Sequence, residues 1–154
     1  MLIRKYIESD FAEILSLFYH TVHEVNVRDY SPEQIAVWAP ENPDQNRWRD
    51  SLSSKMTYVA EANSKVVGFG ELETSGHIDR FYIHKNFIRQ GVGSALYKTI
   101  ENQAKSLSVE RLFLEASITA KPFFASQGFN VIKEQFVQVR GVSMVNFLME
   151  KNLK

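Results

Sequence analysis

The chain has 154 residues, 44% of them hydrophobic and 23% charged, with 18 Lys plus Arg balanced by 18 Asp plus Glu. That is the make-up of one globular domain over residues 1–154 with its own buried core, and zero formal charge argues against a nucleic-acid binder, which needs surplus cations to neutralise phosphates. Cysteine is absent, which excludes a disulfide framework, a thiolate nucleophile and a Cys-based zinc site.

Residues 1–8 lack the continuous apolar core and cleavage site of a signal peptide. No apolar run reaches the roughly 20 residues that span a bilayer, so a cytoplasmic protein with no membrane partner is expected. Residues 2–7 alternate as a strand. Ser9-Asp10 offers an N-cap to a helix carrying Phe11, Ile14, Leu15, Phe18, Val22 and Val25 at helical spacing. Ser31-Pro32-Glu33 opens a second helix, with Pro at its first position, and the Pro40 to Asp44 stretch breaks it. Trp48 to Leu52 predicts a further short helix.

From Met56 the pattern turns to strands. Residues 57–61 and 66–72 flank the turn Ala62-Asn63-Ser64-Lys65, and a third strand covers 77–84. Val92, Leu96, Ile100 and Ala104 space out a helix over 92–106. Residues 111–115 read as a short buried strand, and 119–126 as a short helix closed by Gly128. Two last strands, about 129–139 and 143–150, flank Arg140-Gly141. The order implies an α/β chain: a mixed sheet with helices on both faces.

The chemistry concentrates where strand 77–84 runs through Ile88-Arg89-Gln90-Gly91-Val92-Gly93-Ser94-Ala95-Leu96 into a helix. Bare backbone N–H groups at a helix start suit a diphosphate, and glycines let its oxygens approach. A Rossmann site wants GxGxxG near the first strand and an acidic residue ~20 positions on. Here Leu96 takes the third glycine's place, and no GK[ST] follows for a P-loop.

Together with Ala120-Lys121-Pro122-Phe123-Phe124-Ala125-Ser126-Gln127-Gly128-Phe129, the segment resembles the GNAT (GCN5-related) acyltransferases, whose tail pattern is N-x-x-A-x-x-F-Y-x-x-x-G-F. Ala120, Phe123, Gly128 and Phe129 match it. Tyr30-Ser31-Pro32-Glu33-Gln34-Ile35 with Trp38, and Ala116 to Phe124, look closest to the YafP-like bacterial branch. The resemblance implies the GNAT fold: a central mixed sheet of six to seven strands, helices on both faces, and a splayed strand pair that binds acyl-CoA. It implies acetyl-CoA as donor. Arg89, Gln90, Gly91, Val92, Gly93 and Ser94 would hold the pyrophosphate through main-chain N–H groups, helped by the helix dipole. Phe81, Tyr82 and Ile83 would pair with the pantetheine arm, and Ser117, Phe123 and Phe124 would complete the cofactor site.

Two departures stand out. Ile88 occupies the place of the family's usual Gln or Arg. Phe124 replaces the frequent Tyr proposed as the acid for the departing thiolate, and Ser117 replaces the Asn. Either the thiolate leaves unprotonated, or Ser117, a water or another Tyr serves.

Asp79 stands where some GNAT enzymes carry a glutamate base, and a carboxylate there would deprotonate an amine acceptor. The alternative is a solvent-facing or Arg-paired aspartate. Glu71 is the next candidate, and an N–H of strand 77–84 would hold the oxyanion. His20 and His23 share a helix face without further ligands, so no metal site is expected. Tyr19, Tyr30, Trp38 and Trp48 fall in the region lining the family's acceptor pocket, where core packing is the competing role. Arg140 sits in the last hairpin, with an anionic acceptor as its other use.

The expected function is direct transfer of an acetyl group to a small-molecule or peptide amine in a ternary complex. The alternative is a non-catalytic acyl-CoA-binding or sensing module. The resemblance leaves a homodimer open.

Overall fold

Local capping and apolar spacing set the element boundaries of the computed structural model, which describes residues 1–154. Strand β1 (Leu2–Lys5) leads into α1 (Phe11–Glu24), whose Phe11, Ile14, Phe18 and Val22 are all buried along one stripe. Helix α2 (Pro32–Trp38) starts at a capping box: Ser31 Oγ accepts from the Gln34 N–H at 3.2 Å and Gln34 Oε1 accepts from the Ser31 N–H at 2.8 Å. Helix α3 (Gln45–Ser54) is longer than Trp48 to Leu52, because the Asp44 carboxylate caps it by accepting from the Arg47 N–H at 3.2 Å. The breaker segment thus ends in a helix start.

Strands β2 (Met56–Ala62), β3 (Lys65–Leu72) and β4 (Ile78–Ile83) follow, then α4 (Val92–Ser106), β5 (Arg111–Ala116), α5 (Lys121–Ser126), β6 (Asn130–Val139) and β7 (Val142–Asn152). Helix α5 begins two residues later than expected. Ser117 to Ala120 instead form a turn in which Ser117 Oγ accepts from the Ala120 N–H at 3.0 Å.

The seven strands form two antiparallel ladders, β1-β2-β3-β4 and β5-β7-β6, rather than one continuous sheet. A single parallel bridge, His77 to Phe113, joins them, with the Phe113 N–H donating to Gly76 C=O at 3.0 Å. Beyond it no rung connects β4 to β5, and that is the splayed pair. One core layer, including Ile14, Val22, Leu52 and Phe69, lies under α1 to α3; the other, including Leu96, Ile100, Leu112 and Met149, lies under α4 and α5. Each such buried side chain contributes about 1.5–3 kcal/mol, which fixes the two ladders as rigid walls of the gap between them.

Candidate active site

The gap opens into a cavity of about 680 Å³ lined by β4, β5, the start of α4, α5 and the β6–β7 hairpin, with residues 21–38 across it. At one end, a short 3-10 turn (Lys85–Phe87) leads through Arg89 at φ 63° to Gly91 at φ 82°, the left-handed residue that caps α4. A Cβ on Gly91 would meet nothing within 4 Å, so open space lies on that side.

The backbone N–H groups of Arg89, Gln90, Gly91, Val92, Gly93 and Ser94 make no hydrogen bond within the chain. The first engaged is that of Ala95, which donates to Gly91 C=O at 3.1 Å. Arg89, Gly91, Gly93 and Ser94 line the cavity. Free donors at the positive end of a 15-residue helix, beside an unpaired Arg89 guanidinium, form an anion cradle.

Phe81, Tyr82, Ile83, Ser117, Phe123 and Phe124 also line the cavity. Gln90 and Val92 do not. Gln90 Nε2 donates to Asn86 C=O at 3.0 Å, and the Val92 side chain is buried beside Ala60 and Val67, so only their main chain is available to a ligand. Phe124 is 3% exposed and packs edge-on against Phe81 at 5.3 Å, an apolar wall. Ser117 Oγ, committed as an acceptor to Ala120, keeps its own proton to donate.

Asp79, Glu115 and Glu71, near the His77–Phe113 bridge, have different fates. Asp79 lines the cavity and is ion-paired with Lys55. Burial pushes its pKa up, but the Lys55 hydrogen bond and charge, with Arg80 and His77 adding, hold it below the ordinary carboxylate value. Glu115 also lines the cavity and accepts from His77 Nε2 at 2.9 Å, while His77 Nδ1 meets Glu73. The Glu115 hydrogen bond is the main cause that raises the His77 pKa to about 9, against burial, with Glu73 adding. Glu71 is fully buried and outside the cavity, on the α3 side of the sheet. Its Oε1 accepts from Arg80 at 3.0 Å and its Oε2 from Ser51 Oγ at 2.6 Å. Arg80 lies over the Trp48 ring at 3.9 Å.

Opposite the cradle, Tyr30 and Trp38 meet edge-on at 5.1 Å, and Trp38 Nε1 donates to Tyr82 Oη at 3.2 Å. Tyr30 Oη donates to Val145 C=O at 2.8 Å and accepts from the Ile118 N–H at 2.9 Å, tying α2, β7 and the Ser117 turn together. Trp38, Tyr82 and Val139 also border a second depression of about 760 Å³, which holds Tyr19 and Arg140. The Arg140 guanidinium there donates to Val37 C=O. His20 pairs with Glu24 at 3.2 Å, and His23 Nε2 contacts Ala39 C=O at 2.7 Å. No helix is long and apolar enough to cross a membrane.

Sequence reasoning did not single out Lys55, His77, Glu115, Asn26 or Asn146. None carries a local motif, and the pairings of Lys55 with Asp79 and of His77 with Glu115 join residues distant in the chain.

The acetyltransferase (GNAT) domain family matches residues 26–152. An uncharacterized N-acetyltransferase of Escherichia coli (strain K12), YafP, is 37% identical over 147 residues, 96% of this chain and 93% of that protein. Among solved structures, a GCN5-related N-acetyltransferase from Rhodopseudomonas palustris superposes with a TM-score of 0.95 at 30% identity, covering 99% of this chain and 95% of that one. The PaiA N-acetyltransferase of Thermoplasma acidophilum, solved in complex with coenzyme A, has a TM-score of 0.82 at 20% identity, with 98% of each chain covered.

Proposed function

The chain belongs to the GNAT acetyltransferase family, and we propose that it moves an acetyl group from acetyl-CoA to an amine by direct attack in a ternary complex. One observation carries this reading: six consecutive unbonded amides, Arg89 to Ser94, at the start of α4 beside an open cavity. That arrangement fits the diphosphate of an acyl-CoA, and the edge of β4 from Phe81 to Ile83, which carries no strand partner and only one side-chain bond (Thr21 Oγ1 donating to Ile83 C=O at 3.0 Å), fits the amides of its pantetheine arm. The likeness to a structure solved with coenzyme A agrees with it.

In the reaction the amine nitrogen bonds to the thioester carbonyl carbon and the carbon–sulfur bond breaks. The acceptor ammonium loses one proton before attack and a second as the amide forms; the second ends on the departing sulfur. Asp79 is the cavity carboxylate placed to receive the first, directly or through solvent, and its pairing with Lys55 keeps it ionised. Ser117, with a free hydroxyl proton, serves the sulfur in place of the phenol that Phe124 lacks. An N–H on the free edge of β4 holds the oxyanion. Glu71, bound by Arg80 and Ser51 outside the cavity, has no part in proton transfer.

The test is acetyl-CoA titration followed by thiol release over an amine panel. Ligand at about 100 Kd should raise stability by about 2.7 kcal/mol. Stabilisation with amine-dependent thiol release supports the reading; no stabilisation overturns it, and stabilisation without turnover on any amine overturns the transfer step.

A further inference from the structure

The cavity is lined by two carboxamides that make no hydrogen bond within the protein. Asn146 Oδ1, on β7, is the one buried side-chain polar atom without a hydrogen-bond partner. Asn26, just past α1, is 4% exposed; its side chain makes no hydrogen bond within the chain, and its amide atoms, unlike Asn146 Oδ1, keep some free surface. Both line the same cavity. A buried amide left unpaired is costly, and natural folds keep one mainly where a ligand completes it.

Their surroundings narrow that ligand. Val137, Val139, Met144 and Val145 contribute an apolar wall from the β6–β7 hairpin, facing Tyr30 and Trp38. The only carboxylates on the cavity surface, Asp79 and Glu115, are already paired with Lys55 and His77. The only other charged groups there are Arg28 and Arg89, both cationic. A polycation therefore finds no free anion to meet its additional ammonium groups. A carboxamide, by contrast, offers a C=O to an amine N–H and an NH₂ to a carbonyl, so two of them match an amine that has a carbonyl beside it.

We propose that the acceptor is amino-acid-like, a single amine next to a carbonyl with an apolar side chain, recognised by Asn26 and Asn146. This rests on the acetyl-transfer reading above and adds the substrate class. Asn146 Oδ1 accepts from the amine, Asn26 holds the carbonyl, and the hairpin valines with Met144 take the side chain. Both residues recognise the acceptor; neither exchanges a proton.

The experiment uses L-phenylalaninamide and spermidine as probes, with wild type, Asn146→Leu, Asn146→Asp and Asn26→Leu. Acetyl-CoA-induced thermal stabilisation is measured first on each. If wild type shows none, the acetyl-transfer reading fails, and the substrate class falls with it. With it present, wild type should acetylate L-phenylalaninamide and leave spermidine unmodified. Asn146→Leu and Asn26→Leu should each raise KM for L-phenylalaninamide about tenfold with little change in kcat, while acetyl-CoA stabilisation stays as in wild type. Asn146→Asp, which keeps an acceptor oxygen, should hold KM near wild type. Turnover of spermidine at or above that of L-phenylalaninamide, turnover of neither, or an unchanged KM in Asn146→Leu overturns the proposal. So does loss of acetyl-CoA affinity in the Leu variants with KM for the amine unchanged, which would place the two amides on the pantetheine instead.

Discussion

Gly93 and Phe123 compete for one space: a Cβ built on Gly93 would stand 3.0 Å from Phe123 Cε1 and 3.2 Å from Cζ. The second glycine of the cradle thus serves the packing of α5 against α4, not only the ligand. Phe123, partly buried on the cavity wall and stacked on Phe81 at 5.5 Å, gives way only by moving into the cavity. Gly93→Ala should lower stability by about 1–3 kcal/mol through overpacking. It should also weaken acetyl-CoA binding, because Phe81 and Phe123 both line the cavity. Chemical denaturation and a titration on the same sample check both effects.

Gly91 is the cleaner probe of the cradle. Its φ of 82° costs an L-residue about 1–2 kcal/mol, but an added methyl meets no protein atom. Gly91→Ala should therefore fold with that modest loss and bind acetyl-CoA at least about tenfold more weakly. An unchanged Kd would show that no diphosphate lies against this residue.

Asp79→Asn separates chemistry from binding. The variant should lose about 10²–10⁴-fold in kcat near neutral pH while its acetyl-CoA Kd stays put. Because the Asp79 pKa is held below the ordinary carboxylate value, its share of stability is present above about pH 3.9 and disappears as pH falls through the folded pKa. Acid unfolding of Asp79→Asn should accordingly be less steep at that end. A rate unchanged by the substitution would remove Asp79 from proton transfer.

His77 predicts the opposite pH direction. Its pKa rises from the ordinary 6.5 to about 9, so its ion pairs with Glu115 and Glu73 contribute fully below about 6.5. That contribution is lost as pH climbs through about 9. Melting temperature in wild type should decline across this interval, and His77→Gln should flatten the decline. Parallel melting curves for the two proteins from pH 6 to 10 would contradict it.

Tyr30→Phe removes an oxygen that serves Ile118 and Val145 together. Leaving that N–H and C=O unpaired in a partly buried place should cost about 1–3 kcal/mol. The Ser117 turn loses its anchor as well, so kcat should fall more than stability alone accounts for. Thermal melts and single-turnover rates, run at a temperature where the variant is fully folded, distinguish the two effects.

What the sequence made legible was local. Strand, paired glycines and helix, followed by Ala120, Phe123, Gly128 and Phe129, are contiguous patterns whose geometry follows from turn and helix chemistry, and the cradle lies there. Asp44 as a helix cap was hidden because it closes a proline-rich segment and reads equally as part of a breaker. Glu71 illustrates another limit: alternation along a strand does not reveal that irregular pairing between Gly70 and Leu72 sets it among Ser51, Arg80 and the residues under α3. The pairing of Asp79 with Lys55, and of His77 with Glu115, needs chain segments brought together across 24 and 38 positions. The two asparagines were illegible for the same reason, since a lone Asn in a strand or after a helix has no periodic signature.

The lone bridge from His77 to Phe113 has a mechanical consequence. Each ladder is drawn from its own continuous stretch of chain, and apart from that one rung the two are held by side chains, with Tyr58, Leu72 and Ile78 of one sharing a buried layer with Leu112, Leu114 and Met149 of the other. A small shift of one ladder against the other alters the aperture without rupturing a rung in either, and only that side-chain layer has to adjust. A thioester wedged between them would stiffen that joint, so amide hydrogen exchange along β4 and β5 should slow when the wedge is in place.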